Sequence, residues 1–108
     1  DGIDDVLIGA GREGQSTVWN GAVYVLFGRS TTAWNSWTPA NGSIRLNTDV
    51  SATNGLYRIQ ARYPGGYMSE TILAGNQDFD NDGFSDIVCG YHSTTWGNTN
   101  GEVYIIFG

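Results

Sequence analysis

The chain is expected to be all-β, and three observations carry that expectation. Sixteen glycines are spread through 108 residues, and no segment holds an uninterrupted helical apolar period. Short runs of β-branched and aromatic residues, such as Ala22-Val23-Tyr24-Val25-Leu26-Phe27, are separated by clusters of Gly, Asn, Ser, Thr and Pro. Finally, two strand-like blocks recur in the same order. Asp1-Gly2-Ile3-Asp4-Asp5-Val6-Leu7-Ile8-Gly9 matches Asp82-Gly83-Phe84-Ser85-Asp86-Ile87-Val88-Cys89-Gly90 at an offset of 81. Asn20-Gly21-Ala22-Val23-Tyr24-Val25-Leu26-Phe27-Gly28 matches Asn100-Gly101-Glu102-Val103-Tyr104-Ile105-Ile106-Phe107-Gly108 at an offset of 80. The chain thus holds more than one copy of a repeating unit, and a partial repeat does not bury its own faces.

Strands are expected at residues 5–9, 22–27, 56–60, 70–74, 86–89 and 102–107, with 44–46 as a further edge segment. Each is a short apolar or alternating run that stops at a glycine or a polar cluster. The intervals 30–41, 47–55, 64–66 and 93–100 read as loops. Val23, Val25 and Phe27 alternate with Tyr24 and Leu26, so both sides of that strand are apolar. Such a strand is covered on two sides, as in stacked sheets.

Length and charge narrow the function. One domain at most fits in 108 residues, with a modest core. The net charge is -6; all five basic residues are Arg (12, 29, 45, 58 and 62) and lysine is absent. No basic stripe exists to neutralise phosphates, which argues against a nucleic-acid partner. No apolar stretch approaches the ~20 residues of a membrane span. Seven of the eleven acids lie in two places: Asp1, Asp4 and Asp5, and then Asp78, Asp80, Asp82 and Asp86.

The second of these places reads Asp78-Phe79-Asp80-Asn81-Asp82-Gly83-Phe84-Ser85-Asp86. Carboxylates at its first, third, fifth and ninth positions, with a glycine after the third of them, describe a loop wrapped around a hard cation. Phe84 would contribute its backbone carbonyl. Without an ion the four charges repel at close range, and a divalent cation reverses that interaction. The loop is not a helix-loop-helix calcium hand, because Cys89 stands where that motif has its bidentate Glu and the flanks read as strands. Calcium is the expected ion; magnesium rarely accepts so many protein oxygens in place of water. The alternative is an Asp/Asn/Gly turn without an ion.

Other candidates are weaker. Cys89 has no partner for an internal disulfide and reads as a small buried hydrophobe. Asn41-Gly42-Ser43 is an acceptor sequence for N-glycosylation at Asn41. Trp34 and Trp37 stand in a polar interval and, with Trp19, Trp96, Tyr63 and Tyr67, offer flat faces for sugar rings. His92, the one histidine, reads as a solvated loop residue, and no nucleophile-base set or phosphate-cradling glycine loop is found. No enzymatic activity is expected.

The order of cation loop, Asp5–Ala10 or Asp86–Tyr91 strand, glycine-rich interval and Gly-x-Val-Tyr-x-x-Phe-Gly strand resembles the FG-GAP repeat of integrin α-subunit β-propellers and their bacterial and protist relatives. Asn54-Gly55-Leu56-Tyr57-Arg58-Ile59 looks like that family's outer strand. The resemblance implies antiparallel β-propeller-type blades of four strands, with calcium between the first and second strands of each. Residues 1–60 would then form strands two to four of one blade, and 61–108 strands one to three of the next, incomplete on its own. Asp1, Ile3 and Asp5 would belong to a partial second site. Three departures stand out: Gly90-Tyr91-His92 replaces Gly-Ala-Pro, the 28–78 interval is long, and positions matching Asp78 and Asp80 are missing before Asp1.

The expected function is a calcium-binding, non-catalytic structural or adhesion module, extracellular or at the cell surface. Neighbouring copies or repeats would complete its sheets in a homo-oligomer or filament. Glycans or an extracellular protein are further expected partners. The alternative is a carbohydrate-binding, lectin-like propeller using Trp34 and Trp37.

Overall fold

The computed structural model describes residues 2–15, 18–37, 43–46, 48–60, 67–68, 73–92 and 101–108. In chain order these contain β1 (Val6–Ala10), β2 (Gly14–Gln15), β3 (Val18–Trp19), β4 (Ala22–Leu26), α1 (Thr31–Trp37), β5 (Leu56–Gln60), β6 (Leu73–Gln77), β7 (Asp86–His92) and β8 (Gly101–Ile106). The fold is mostly β. Two three-stranded antiparallel sheets, β1-β4-β5 and β6-β7-β8, make up most of it; a small β2-β3 hairpin lies between β1 and β4, and α1 between β4 and β5.

The internal repeat survives as register. Leu7 pairs with Val25 in the first sheet, and the equivalent Val88 pairs with Ile105 in the second. The first sheet adds β5 beside β4, whereas the second adds β6 beside β7. All strands of the first sheet lie before residue 61 and all strands of the second after it.

Alternation on β4 builds a core on each of its sides, as expected from its doubly apolar pattern. On one side Val23 packs with Met68, Cys89 and Tyr91, flanked by Ile59, Tyr104 and Ile106, so the two sheets share this cluster. On the other, Ala22, Tyr24, Leu26 and Leu56 are covered by Ile8, Ala10, Trp34, Ile44 and Leu46. Fully burying a Val, Leu or Met side chain contributes roughly 1.5–3 kcal/mol. Val23 and Met68 are therefore the side chains on which the stacking of the two sheets most depends, and Leu56 the one that anchors the cover on the other side. A parallel bridge between Gly21 and Met68 draws the chain after β5 back across the end of β4.

Several expectations are corrected. The 30–41 interval is not all loop: residues 31–37 form α1, started by Ser30, whose carbonyl accepts from Trp34 N at 3.0 Å and whose Oγ accepts from Ala33 N at 3.4 Å. Residues 44–46 are not a strand. Arg45 N donates to Asp49 Oδ2 at 2.8 Å and the Arg45 carbonyl accepts from Asp49 N at 2.9 Å, which makes a turn. Ile44 and Leu46 cover the first sheet from that turn. The strand expected at 70–74 runs on to Gln77 as β6, and 70–72 lie outside the described residues. Its register shifts between Ala74 and Gln77, where Asn76 takes φ 67°. His92 is no solvated loop residue: it ends β7, half-buried, with its ring stacked on Tyr67 at 5.4 Å.

Candidate metal centre

Residues 78–85 connect β6 to its neighbour β7, so the acidic loop does join two adjacent strands of one sheet. Its turn is made from inside. Asp82 N donates to Asp78 Oδ1 at 3.1 Å and to Asp80 Oδ1 at 3.2 Å, and Gly83 N donates to Asp78 Oδ2 at 3.0 Å. Asn81 and Gly83 take φ of 63° and 93°, the left-handed conformation that Asn and Gly adopt with least strain. The sequence Asp-Asn-Asp-Gly is therefore chosen by backbone geometry as well as by charge.

Three carboxylates converge. Asp78, Asp80 and Asp86 each present an oxygen within 4.8 Å of the others; the first two are exposed and the third is buried. Asp82 is not one of the three, and its Oδ1 accepts from Phe84 N at 2.8 Å. The Phe84 ring is exposed, which leaves the backbone carbonyl as its means of contribution. The donors are all oxygen, the set that suits a hard divalent cation. The Asp80 carboxyl is pushed above its ordinary value, first by desolvation within the loop and then by the charge of Asp82, with Asp86 and Asp78 adding to it. A cation placed among these oxygens would relieve that repulsion.

Asp86 has a second task that sequence reasoning missed. It is fully buried, accepting from Phe79 N through Oδ2 at 2.5 Å and from Gly108 N through Oδ1 at 3.0 Å. It ties the start of the loop to Gly108, two residues past the end of β8. Its repeat equivalent Asp5 does the same, accepting from Gly28 N at 2.8 Å. The glycine of each Phe-Gly pair is explained by the same contact. A Cβ on Gly28 would run into the Asp4 carbonyl, and one on Gly108 would meet the Ser85 carbonyl at 2.7 Å. The signal was present in the repeat, because an Asp and a Phe-Gly recur together in both copies.

Of the partial second site, Asp1 lies outside the described residues, Ile3 is exposed with its side chain beside Gly28, and Asp5 accepts from Gly28 N just as Asp86 accepts from Gly108 N. Asn41 also lies outside them, as does the side chain of Trp37. Trp34 sits on α1, half-buried against the Ala22-Tyr24-Leu26-Leu56 cluster, with the Arg29 guanidinium 5.0 Å over its ring. Cys89 is buried as expected, and burial pushes its thiol upward, away from the reactive thiolate. No helix among the described residues is long and apolar enough to cross a membrane.

No family model, curated protein or solved structure matches this chain.

Proposed function

We propose that this chain is a calcium-braced, non-catalytic structural module related to FG-GAP repeats, working outside the cell in assemblies of like units. The observation that carries the reading is the convergence of Asp78, Asp80 and Asp86 in a loop joining two neighbouring strands. Calcium would be held by those three carboxylates, with the Phe84 carbonyl and water filling the coordination shell. Its role would be to fix the β6–β7 connection and, through Asp86, the end of β8. Binding energy would then appear as folding energy. Asp82 shapes the turn and adds charge from just outside. The extracellular setting is supported by the openness of the loop, since exposed calcium loops are filled where calcium is near millimolar.

Calorimetric titration tests this reading. One calcium per chain is expected, with magnesium binding more weakly and Asp80→Ala abolishing the heat. Absence of calcium binding by the folded wild-type chain would overturn it.

A further inference from the structure

The strand that leads into the acidic loop holds one residue more than its partner. Ala74 pairs with Val88 and Gln77 with Asp86, so three steps along β6 face two along β7. The surplus lies at Gly75-Asn76, and Asn76 takes it up in the left-handed region with φ 67°. A bulge of this kind re-aims the side chains that follow it, and bulges gather beside functional sites. Two contacts brace this one. The Gln77 side-chain amide donates to the Asn76 carbonyl at 3.0 Å. Gly75 lies against the first sheet, where a Cβ would meet Leu7 Cδ1 at 2.9 Å.

The same residues have a second register open to them. Without the surplus, Gly75 would pair with Ile87 and Asn76 with Asp86, all in extended backbone. Gln77 would then open the loop, and Asp78 would stand one residue further from the last pair. One residue is about 3.5 Å of chain, enough to break a hydrogen bond. In the observed register Asp78 directly follows the Gln77–Asp86 pair, and its carboxylate lies within 4.8 Å of those of Asp80 and Asp86. Phe79 N then donates to Asp86 Oδ2 at 2.5 Å.

We infer that Asn76 is a positioning residue for the cation loop: its left-handed conformation selects the register that sets Asp78 beside Asp86. Its side chain is exposed, so residue type acts here through the backbone rather than through packing. Asn and Gly enter the left-handed region readily, whereas other residues, β-branched ones above all, pay a penalty worth roughly 5–30-fold in population. The calcium part of this inference rests on the reading above; the register part does not.

The test compares the wild-type chain with Asn76→Gly, Asn76→Val and a chain lacking residue 76. Deletion removes the bulge yet keeps Asp78 in place, because Gly75 can then pair with Ile87 and Gln77 with Asp86 in a regular ladder. Register is read in chelator, from nuclear Overhauser contacts between β6 and β7 and from amide exchange at Phe79. Affinity is read by calorimetric titration with calcium. Asn76→Gly and the deletion should keep the Gln77–Asp86 pair, a protected Phe79 amide and the wild-type Kd. Asn76→Val should pair residue 76 with Asp86, release the Phe79 amide and bind calcium about 10-fold more weakly. A purely structural role predicts the reverse order, with the deletion the more damaging. That order, or an Asn76→Val chain with wild-type register and affinity, would overturn the inference. Circular dichroism checks that each variant keeps its strands, and Asn76→Thr replaces Asn76→Val if the latter does not fold. A register that moves in Asn76→Val while the wild-type chain binds no calcium sinks the calcium reading alone. Calcium binding with a register indifferent to residue 76 sinks the positioning role alone.

Discussion

Asp86 does two things with one carboxylate, and substitutions separate them. Asp86→Asn keeps the shape but places an NH2 against one of two backbone N–H donors, Phe79 N or Gly108 N. Leaving a buried donor unpaired costs about 1–3 kcal/mol. The urea midpoint should fall by that equivalent even in chelator, whereas the Asp80→Ala loss should appear only in calcium. Gly28→Ala drives a methyl onto the Asp4 carbonyl and should destabilise by about 1–3 kcal/mol, read by the same unfolding curve. Tyr24 gives the pH test. Burial, followed by its hydrogen bond to Glu13 and that residue's charge, pushes its hydroxyl from 10.0 up to about 12, against the opposing Arg58. Glu13 is held in place by Arg58 at 3.0 Å. A group whose folded-state pKa is raised contributes stability that is complete below its unfolded value and lost as pH rises through the folded one. Stability should therefore decline between about pH 10 and pH 12, and Tyr24→Phe should flatten that part of the profile.

Among the elements, the repeated strands were the legible ones, because β1, β4, β7 and β8 combine apolar runs with glycine stops. The cation loop was legible for the same reason: the spacing of its carboxylates is local. What escaped was decided by tertiary contact. Thr31-Thr32-Ala33-Trp34-Asn35-Ser36-Trp37 contains mostly weak helix formers and no acid in its first turn. It is helical because Ser30 caps it and Trp34 finds apolar surface beneath. Trp34→Ala should accordingly lower stability by about 1–3 kcal/mol, the range for a half-buried aromatic. An unchanged midpoint would mean that the helix does not support the first sheet. In β6, Gly75-Asn76 looked like the end of a strand, but a bulge absorbs it and the strand runs on to Gln77. The pairing of Asp86 with Gly108 spans 22 residues, beyond any local pattern, and only the joint recurrence of the Asp and the Phe-Gly in both copies of the repeat pointed to it.

At the scale of the whole molecule, two sheets share one cluster and the repeat relates them, so a face buried in one is bare in the other. Edges repeat the pattern: among the described residues, no strand pairs with the outer edge of β8. Calcium acts at the other end of the argument, within one sheet. The most direct measurement is thermal unfolding of the wild-type chain and Asp80→Ala, each in excess calcium and in chelator. The wild-type midpoint should rise by roughly 10–20 °C in calcium, since occupancy at 100 times Kd stabilises by about 2.7 kcal/mol and each kcal/mol is worth about 4–8 °C in a domain of this size. Asp80→Ala should melt alike in both solutions. A wild-type midpoint unmoved by calcium would contradict the claim that an ion braces this fold.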